Sequence, residues 1–404
     1  MAKKSKLSAA NAGQLTPDIE QLLTADIERL EKNVVAYEES QVSLENDEQD
    51  CAVFHYVPER VKPENYVSTG ITPLNLAITN HPLCGIEKGT YVLMVGASSS
   101  GKTLAALTIL AEAANNPAFK DYELLYADCE GGAGFPLRPM FGNKLADRIE
   151  FMKMKNDEPF QTLEDFYGAV DQRLRVKKPF ICILDSMDCL SSTQELQKFD
   201  ANITEREKNI DSDDVSKQYV HISTGFTDGK AKTNSSNLRR IRNKLPVTGS
   251  ILIIISQERQ ALGAVTYVTR SGGNALTYYA DYEIWLDLSE KIEKTFNGIK
   301  RQIGQVTRAR IKKNRITGVK TVLRFPLFNG VGISDSDAIL DWLIEEKAIT
   351  VSGKSLTLPG YEPQSRAKCI EYFEENPDEA REMAQKHWQK VLAQVTTVRK
   401  KRYE

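Results

Sequence analysis

Cysteine is scarce in this chain, and no two cysteines are spaced as a ligand pair. Its six residues, Cys51, Cys84, Cys129, Cys182, Cys189 and Cys369, form no C-x-x-C motif. That excludes a disulfide framework and the usual structural zinc modules. Several of them lie in apolar runs, where cysteine acts as a small buried hydrophobe. An excess of charge of either sign is also lacking. Fifty-three Lys and Arg face 55 Asp and Glu, for a net charge of −2, so a nucleic-acid site has to be a local patch. No apolar run reaches membrane-spanning length. The basic start, Met1-Ala2-Lys3-Lys4-Ser5-Lys6, is not followed by the apolar stretch of a secretory signal. The expected compartment is reducing and cytoplasmic, with no membrane partner. The chain holds 404 residues, 41% hydrophobic and 27% charged, enough for two or three domains around one large core.

The run Gly96-Ala97-Ser98-Ser99-Ser100-Gly101-Lys102-Thr103 fits the phosphate-binding pattern G-x-x-x-x-G-K-[ST]. Residues 91–95 before it are apolar and β-like, and residues 104–114 after it are rich in Leu and Ala. Strand, Gly-rich loop and helix start in that order are the context the motif needs. Gly96 and Gly101 let the backbone wrap a phosphate with its N–H groups inward, and the helix N-terminus adds partial positive charge. Lys102 can reach the outer phosphates, and the Thr103 hydroxyl can take Mg²⁺.

Strand-like runs alternate with helical ones from about residue 66 to 330. Residues 91–95, 124–127, 180–184 and 251–255 are the clearest, and the last two are nearly continuous Ile, Leu, Val and Cys, as in strands buried on both faces of a parallel sheet. Residues 282–288, 306–313 and 321–328 alternate and follow closely, suggesting an antiparallel extension. The fold class is therefore α/β with a mostly parallel central sheet, and ligands are expected at the carboxyl ends of its strands. Residues 1–60 read as an appendage. Leu15, Ile19, Leu22, Leu23, Ile27 and Leu30 make a helical stripe behind the start signal Thr16-Pro17-Asp18, and a short β-like run follows at residues 51–56. The polar stretch 193–237 is too long for an ordinary connection. Residues 331–404 form a small terminal unit with a stripe of Ile339, Leu340, Leu343 and Ile344, a turn at Ser352-Gly353 and a last helix from Asn376-Pro377.

Three strand ends carry chemistry. Residues 180–184 lead into Asp185, the Walker B form, and Asp185 would hold Mg²⁺ beside Thr103. Asp188 reads as a helix or turn cap. Residues 124–127 lead into Asp128-Cys129-Glu130, where Glu130 is the candidate general base for an attacking water. Residues 251–255 lead into Ser256-Gln257-Glu258-Arg259, and Gln257 can sense a γ-phosphate and inform the loop that follows. Each has a plainer alternative, a solvated turn acid or a capping amide.

Two further passages are more specific. Ser271-Gly272-Gly273-Asn274-Ala275-Leu276 resembles a signature of the RecA family of DNA strand-exchange recombinases, and Arg308-Ala309-Arg310-Ile311-Lys312-Lys313-Asn314-Arg315 resembles that family's basic strand-end motif. The order Ser68-Thr69-Gly70, P-loop, Asp-x-Glu, Walker B, Gln257, Gly-Gly-Asn-Ala-Leu, basic motif and Phe328-Asn329-Gly330 is similar over most of residues 60–395.

The resemblance implies a RecA-type P-loop ATPase core over residues 61–330, an N-terminal oligomerisation appendage over 1–60 and a small α/β C-terminal domain over 331–404. It implies ATP and Mg²⁺ held by Gly96, Ala97, Ser98, Ser99, Ser100, Gly101, Lys102, Thr103 and Asp185. Glu130 would activate water, Gln257 would couple the γ-phosphate to DNA, and Lys313 and Arg315 would reach ATP on the adjacent protomer. Single-stranded and double-stranded DNA are the implied partners, with self-association into a helical filament and with single-strand-binding and mediator proteins. The second DNA loop would use Arg259, Gly263, Val265, Tyr267, Arg270, Gly272 and Gly273. The first would exit through Lys230, Lys232, Arg239, Arg240 and Arg242, a run that also suits a solvated helix face. Phe135 is the candidate adenine contact. Arg315 in place of the Lys of bacterial members, the long first-loop segment and a basic rather than acidic end point to a diverged, phage-type member, in the nucleoid or a host cytoplasm. A ring helicase on the same core and a mediator that uses the fold only to bind remain the alternative functions.

Overall fold

The computed structural model describes residues 61–131, 134–154, 156–209, 229–261, 267–270 and 272–395. The appendage expected at residues 1–60 and the basic end at 396–404 lie outside them. The described residues belong to one compact unit.

In chain order the first twelve strands of the described residues are β1 (Tyr66–Val67), β2 (Ile86–Glu87), β3 (Tyr91–Gly96), β4 (Glu123–Asp128), β5 (Ile149–Phe151), β6 (Phe180–Asp185), β7 (Ile251–Ala261), β8 (Tyr267–Arg270), β9 (Tyr282–Phe296), β10 (Ile299–Asn314), β11 (Val322–Phe328) and β12 (Gly332–Ile333), and three short strands after them make a separate small sheet in the terminal segment. Among the described residues ten strands form one sheet in the order β12-β11-β10-β9-β3-β7-β6-β4-β5, with β8 paired to β7. The central strands alternate between two cores. Val92, Met94, Ile181, Ile183, Ile251, Ile253 and Ile255 feed one, packed under the helices Thr72–Thr79 and Lys102–Asn115. Leu93, Val95, Cys182, Leu184, Leu252 and Ile254 feed the other, packed under Leu163–Val176 and Gly229–Arg242. Side chains of a strand point alternately to its two faces, so continuous apolar runs of this kind are what a three-layer α/β sheet requires.

The sheet's edge departs from expectation at one strand. β9 runs parallel to β3, pairing Val92 with Tyr282 and Gly96 with Leu286. Beyond β9 this side of the sheet is antiparallel, through β10, β11 and β12, and on the other side of β3 the short β8 pairs antiparallel with β7. Residues 282–286 are all buried, so this half of β9 belongs to the core. Its second half leaves the sheet as an exposed hairpin with β10.

The stretch 193–237 is largely helical where it is described. Thr193–Asn209 begins on a reciprocal cap: the Ser192 hydroxyl accepts from Glu195 N at 3.2 Å, and the Glu195 carboxylate accepts from Ser192 N at 2.9 Å. That S-x-x-E signature stands in the sequence and outweighs the polar composition. The terminal segment follows its predicted pattern. Helix Asp335–Glu345 buries Ile339, Leu340 and Leu343, and helix Pro377–Val395 starts at the expected proline. Asp335 accepts from both Thr72 N (2.6 Å) and Thr72 Oγ1 (2.8 Å), and Trp388 Nε1 donates to Asn80 Oδ1 at 2.9 Å. These bonds fasten the terminal helices to the helix that precedes β2.

Candidate phosphate-binding site and its relatives

The loop after β3 is shaped by close backbone approach. A Cβ on Gly96 would stand 2.1 Å from the Leu286 carbonyl oxygen, so only glycine allows β9 to pass here. The antiparallel edge braces the loop from outside: Gln305 Nε2 donates to Ser99 O at 2.8 Å and Thr307 Oγ1 to Ser100 O at 3.1 Å. Neither residue was singled out by sequence reasoning. Both lie on β10 just before the basic motif, and their polar side chains at i and i+2, on one face of that strand, were the available signal. Lys102 opens the helix and is buried. Its ammonium folds back to donate to Ala97 O at 2.5 Å and Ser100 Oγ at 3.4 Å. Burial lowers its pKa, against the opposing charges of Asp185 and Glu130.

A cavity of about 530 Å³ opens over this loop. Ser98, Ser99, Ser100, Gly101, Lys102 and Thr103 form its polar floor. Phe135, Pro136, Met140 and Leu327 form an apolar wall, and Glu130 and Gln257 stand at its rim. Phe135, the candidate adenine contact, is part of that wall. Asn329 and Gly330, noted only as a motif, line the cavity too.

Asp185 is held from two sides. Thr103 Oγ1 donates to its Oδ2 at 2.6 Å and Tyr126 OH to the same atom at 2.8 Å. Its Oδ1 is buried with no hydrogen-bond partner. A buried carboxylate oxygen left open beside a Thr hydroxyl is the donor set a hard cation wants, so Thr103 and Asp185 fit Mg²⁺. Among the described residues no cluster of three His, Cys, Asp or Glu forms a different metal site. Tyr126 was missed, although it is the one polar side chain in an otherwise apolar strand core.

Burial raises the Asp185 carboxyl above its ordinary range, while the bonds from Thr103 and Tyr126 pull it down. A folded value above the unfolded one means that the ionised carboxylate is penalised in the fold. The penalty is full above the folded pKa and vanishes as pH falls through it toward the unfolded value. At pH 7 Asp185→Asn is therefore expected to raise the thermal midpoint of the ligand-free protein and to weaken Mg²⁺-dependent nucleotide binding. Calorimetry and a nucleotide titration check both, and a lowered midpoint would contradict this account.

Glu130 and Gln257, read separately in the sequence, are in contact. Gln257 Nε2 donates to Glu130 Oε1 at 2.9 Å. The end of β4 is locked to β6, because Cys129 N and Glu130 N both donate to Asp185 O, at 2.7 and 3.1 Å. Lys313 and Arg315 lie elsewhere. Lys313 pairs with Glu283, level with Leu93, about 10 Å below Gly96 along the strand direction. Lys313 Nζ donates to Thr277 O (2.7 Å) and Tyr278 O (3.0 Å). Arg315 reaches Tyr278 O at 3.1 Å and Asp281 at 3.3 Å. Neither lines the cavity of its own chain.

The residues assigned to DNA divide into groups. Gly263 and Val265 lie outside the described residues. Of Tyr267 only the backbone is described, opposite Ala261. Arg259 is half-exposed at the start of the β7–β8 ribbon. Arg270 turns inward, donating to Gly273 O at 2.7 Å and to the Thr277 hydroxyl. Gly272 and Gly273 both have positive φ, and a Cβ on Gly273 would stand 2.5 Å from the Ala231 Cβ, so the glycines let this turn press against helix Gly229–Arg242. In that helix Lys230 donates to Asp188 O at 3.1 Å and Asn234 Nδ2 to Gly272 O at 2.9 Å. Lys232 follows one turn from the start. Arg239 meets the Tyr279 hydroxyl at 3.3 Å, Arg240 lies 3.7 Å from Asp171, and Arg242 pairs with Asp281 at 2.7 Å. The basic run is thus split between the two ends of one helix.

A buried Lys on a Gly-rich loop, a Thr–Asp pair and a glutamate at neighbouring strand tips of a mostly parallel sheet define a P-loop nucleotide-binding core. No protein-family model matches the chain. Among curated proteins it is similar to Protein RecA of Thermosynechococcus vestitus, 27% identical over 326 residues and 79% of each chain. Protein RecA of Nostoc punctiforme is 26% identical over 321 residues, 78% of each. Protein RecA of Corynebacterium efficiens is 26% identical over 352 residues, 86% of this chain and 81% of that one. Over about four fifths of its length the chain is thus similar to RecA proteins, at 25–27% identity, the level of a diverged relative.

Proposed function

We propose that the protein is an ATP-dependent recombinase that coats single-stranded DNA as a filament and exchanges strands with a homologous duplex. The observation that carries this reading is the 2.9 Å bond between Gln257 Nε2 and Glu130. Glu130 stands at the rim of the phosphate cavity, and Gln257 stands where β7 leaves the sheet to pair with β8. A change at the outer phosphate therefore has a two-residue path to the ribbon that carries Arg259. A nucleotide-binding protein with no DNA output has no need of this path.

The residues divide the work. The loop N–H groups and the Lys102 ammonium bind and orient the phosphates of ATP, and Phe135 and Met140 cover its apolar part. Mg²⁺, held by Thr103 and Asp185, would supply charge neutralisation between the outer phosphates. Glu130 takes a proton from the attacking water, and Gln257 holds the Glu130 carboxylate in place. Lys313 and Arg315 serve the site of the neighbouring protomer, a reading supported by their distance from the cavity of their own chain. Residues 1–60 are proposed as the piece that joins protomers, 61–330 as the core and 331–404 as a small C-terminal domain. No helix among the described residues is long and apolar enough to cross a membrane, and we assign the protein to the cytoplasm, where its DNA is.

The deciding experiment combines ATPase measurement with and without single-stranded DNA, a homologous-duplex exchange assay and negative-stain imaging with a non-hydrolysable ATP analogue. DNA-stimulated hydrolysis, exchanged strands and helical filaments are expected. Hydrolysis indifferent to DNA with no exchange would overturn the reading, and closed hexamers would favour the helicase.

A further inference from the structure

We propose that Asp188 is a positioning residue that holds Arg259 back from DNA until a phosphate displaces it; this rests on the DNA-binding reading above. Asp188 sits in the one-turn helix Met187–Cys189, three residues after Asp185. Its side chain is 5% exposed, and its two oxygens have different partners. Oδ2 accepts from Gln257 N at 2.7 Å, and Oδ1 lies 3.5 Å from an Arg259 amino group. The Asp188 carbonyl also accepts from Lys230, at the start of the helix that follows residues 210–228. One residue therefore touches Gln257, the start of the β7–β8 ribbon and the basic helix.

The two ends of this contact are unequal. A buried carboxylate needs compensation, and the 2.7 Å backbone bond supplies it at Oδ2. At Oδ1 the partner is a guanidinium on a side chain 48% exposed, at ion-pair distance but too long for a strong hydrogen bond. A DNA phosphate offers the same guanidinium a bidentate, charge-assisted pair. The geometry thus makes Asp188 a weak competitor for Arg259. It sets how much DNA is needed, and because its bond to Gln257 is to the backbone N–H, the Gln257 side chain keeps its own contact with Glu130. Glu258, between Gln257 and Arg259, projects to the other face of the strand and takes no part.

Asp188→Asn tests this, because the amide oxygen still accepts from Gln257 N while the charge facing Arg259 is gone. The readout is the single-stranded DNA concentration that half-saturates ATPase stimulation. It is expected to fall about threefold, the size of a partly exposed ion pair, with the maximal rate unchanged. In an Arg259→Ala background the same substitution should produce no shift. An equal shift in both backgrounds would mean general electrostatics and would overturn the proposal, as would no shift in either. Arg259→Gln provides a second arm at a half-exposed side chain. It should raise the half-saturating DNA concentration and reduce the slope of log affinity against log salt by about 0.7, one phosphate contact on a single strand; an unchanged slope would overturn the proposal. An unsubstituted protein whose ATPase ignores DNA would remove the functional reading itself, and the latch with it.

Discussion

Glu130→Gln should lower DNA-stimulated ATP hydrolysis by about 10²- to 10⁴-fold, the usual worth of a positioned general base, with nucleotide affinity nearly unchanged. The substitution is close to isosteric. The new amide keeps a carbonyl oxygen able to accept from Gln257 Nε2, now at 2.9 Å from Glu130 Oε1, so the contact between β4 and β7 survives. It loses the capacity to take a proton from water. The groups that bind phosphate are untouched: Lys102 stays buried against Ala97 O and Ser100 Oγ, and Asp185 keeps its bonds from Thr103 and Tyr126. Steady-state phosphate release at saturating ATP and DNA, beside a fluorescent-nucleotide titration, separates the two effects. A rate within a few-fold of the parent would remove Glu130 from the chemistry. A parallel loss of affinity would show that it binds rather than activates. The trapped, unhydrolysed state should also stay on DNA longer, since hydrolysis is what loosens the proposed filament.

Much of this site was legible because its signals are local. The P-loop, the acid at the end of β6 and the Gln at the exit of β7 are each a strand followed by a particular polar residue, and period and turn chemistry are enough to find them. The continuous apolar runs also marked the buried parallel strands correctly. What the sequence hid depends on which strands become neighbours. That β9 lies parallel to β3 follows from a crossover, and nothing in the alternation of residues 282–288 reveals it. Gln305 and Thr307 brace the P-loop only because β10 comes next in that order. Asp188 looks like a cap within its own segment, and its bond to Gln257 N spans 69 positions. The helical start at Thr193 was locally visible in the Ser192–Glu195 pair. It was masked by the polarity of the stretch as a whole, since a solvated helix and a loop share a composition.

Lys313→Ala and Arg315→Ala are expected to cost about 10³- to 10⁵-fold in DNA-stimulated hydrolysis, the range for a cationic finger that meets transition-state charge from outside the binding loop. Both side chains also have work within their own chain. Lys313 covers the carbonyls of Thr277 and Tyr278 at the end of the helix Ala275–Tyr279, and Arg315 pairs with Asp281, whose other oxygen accepts from Tyr91 N at 2.9 Å. A loss of rate could then arise from a loosened turn after Gly272-Gly273 as well as from a missing finger. Mixing separates the two. A Lys313→Ala/Arg315→Ala protein keeps an intact P-loop, and a Lys102→Ala protein keeps intact fingers. Each alone should be inactive. Together they should form interfaces in which the P-loop of one meets the fingers of the other, and hydrolysis should return in proportion to such mixed interfaces. A role confined to one chain predicts no return at any ratio, because no protomer in the mixture holds both parts. Arg315→Lys adds a finer reading. It preserves the charge but replaces the planar fork with a point charge, so the bond to Asp281 should weaken more than the long-range help to the neighbouring site. Partial activity with a lowered melting midpoint is the expected signature of a residue that serves its own fold and its neighbour's chemistry at once.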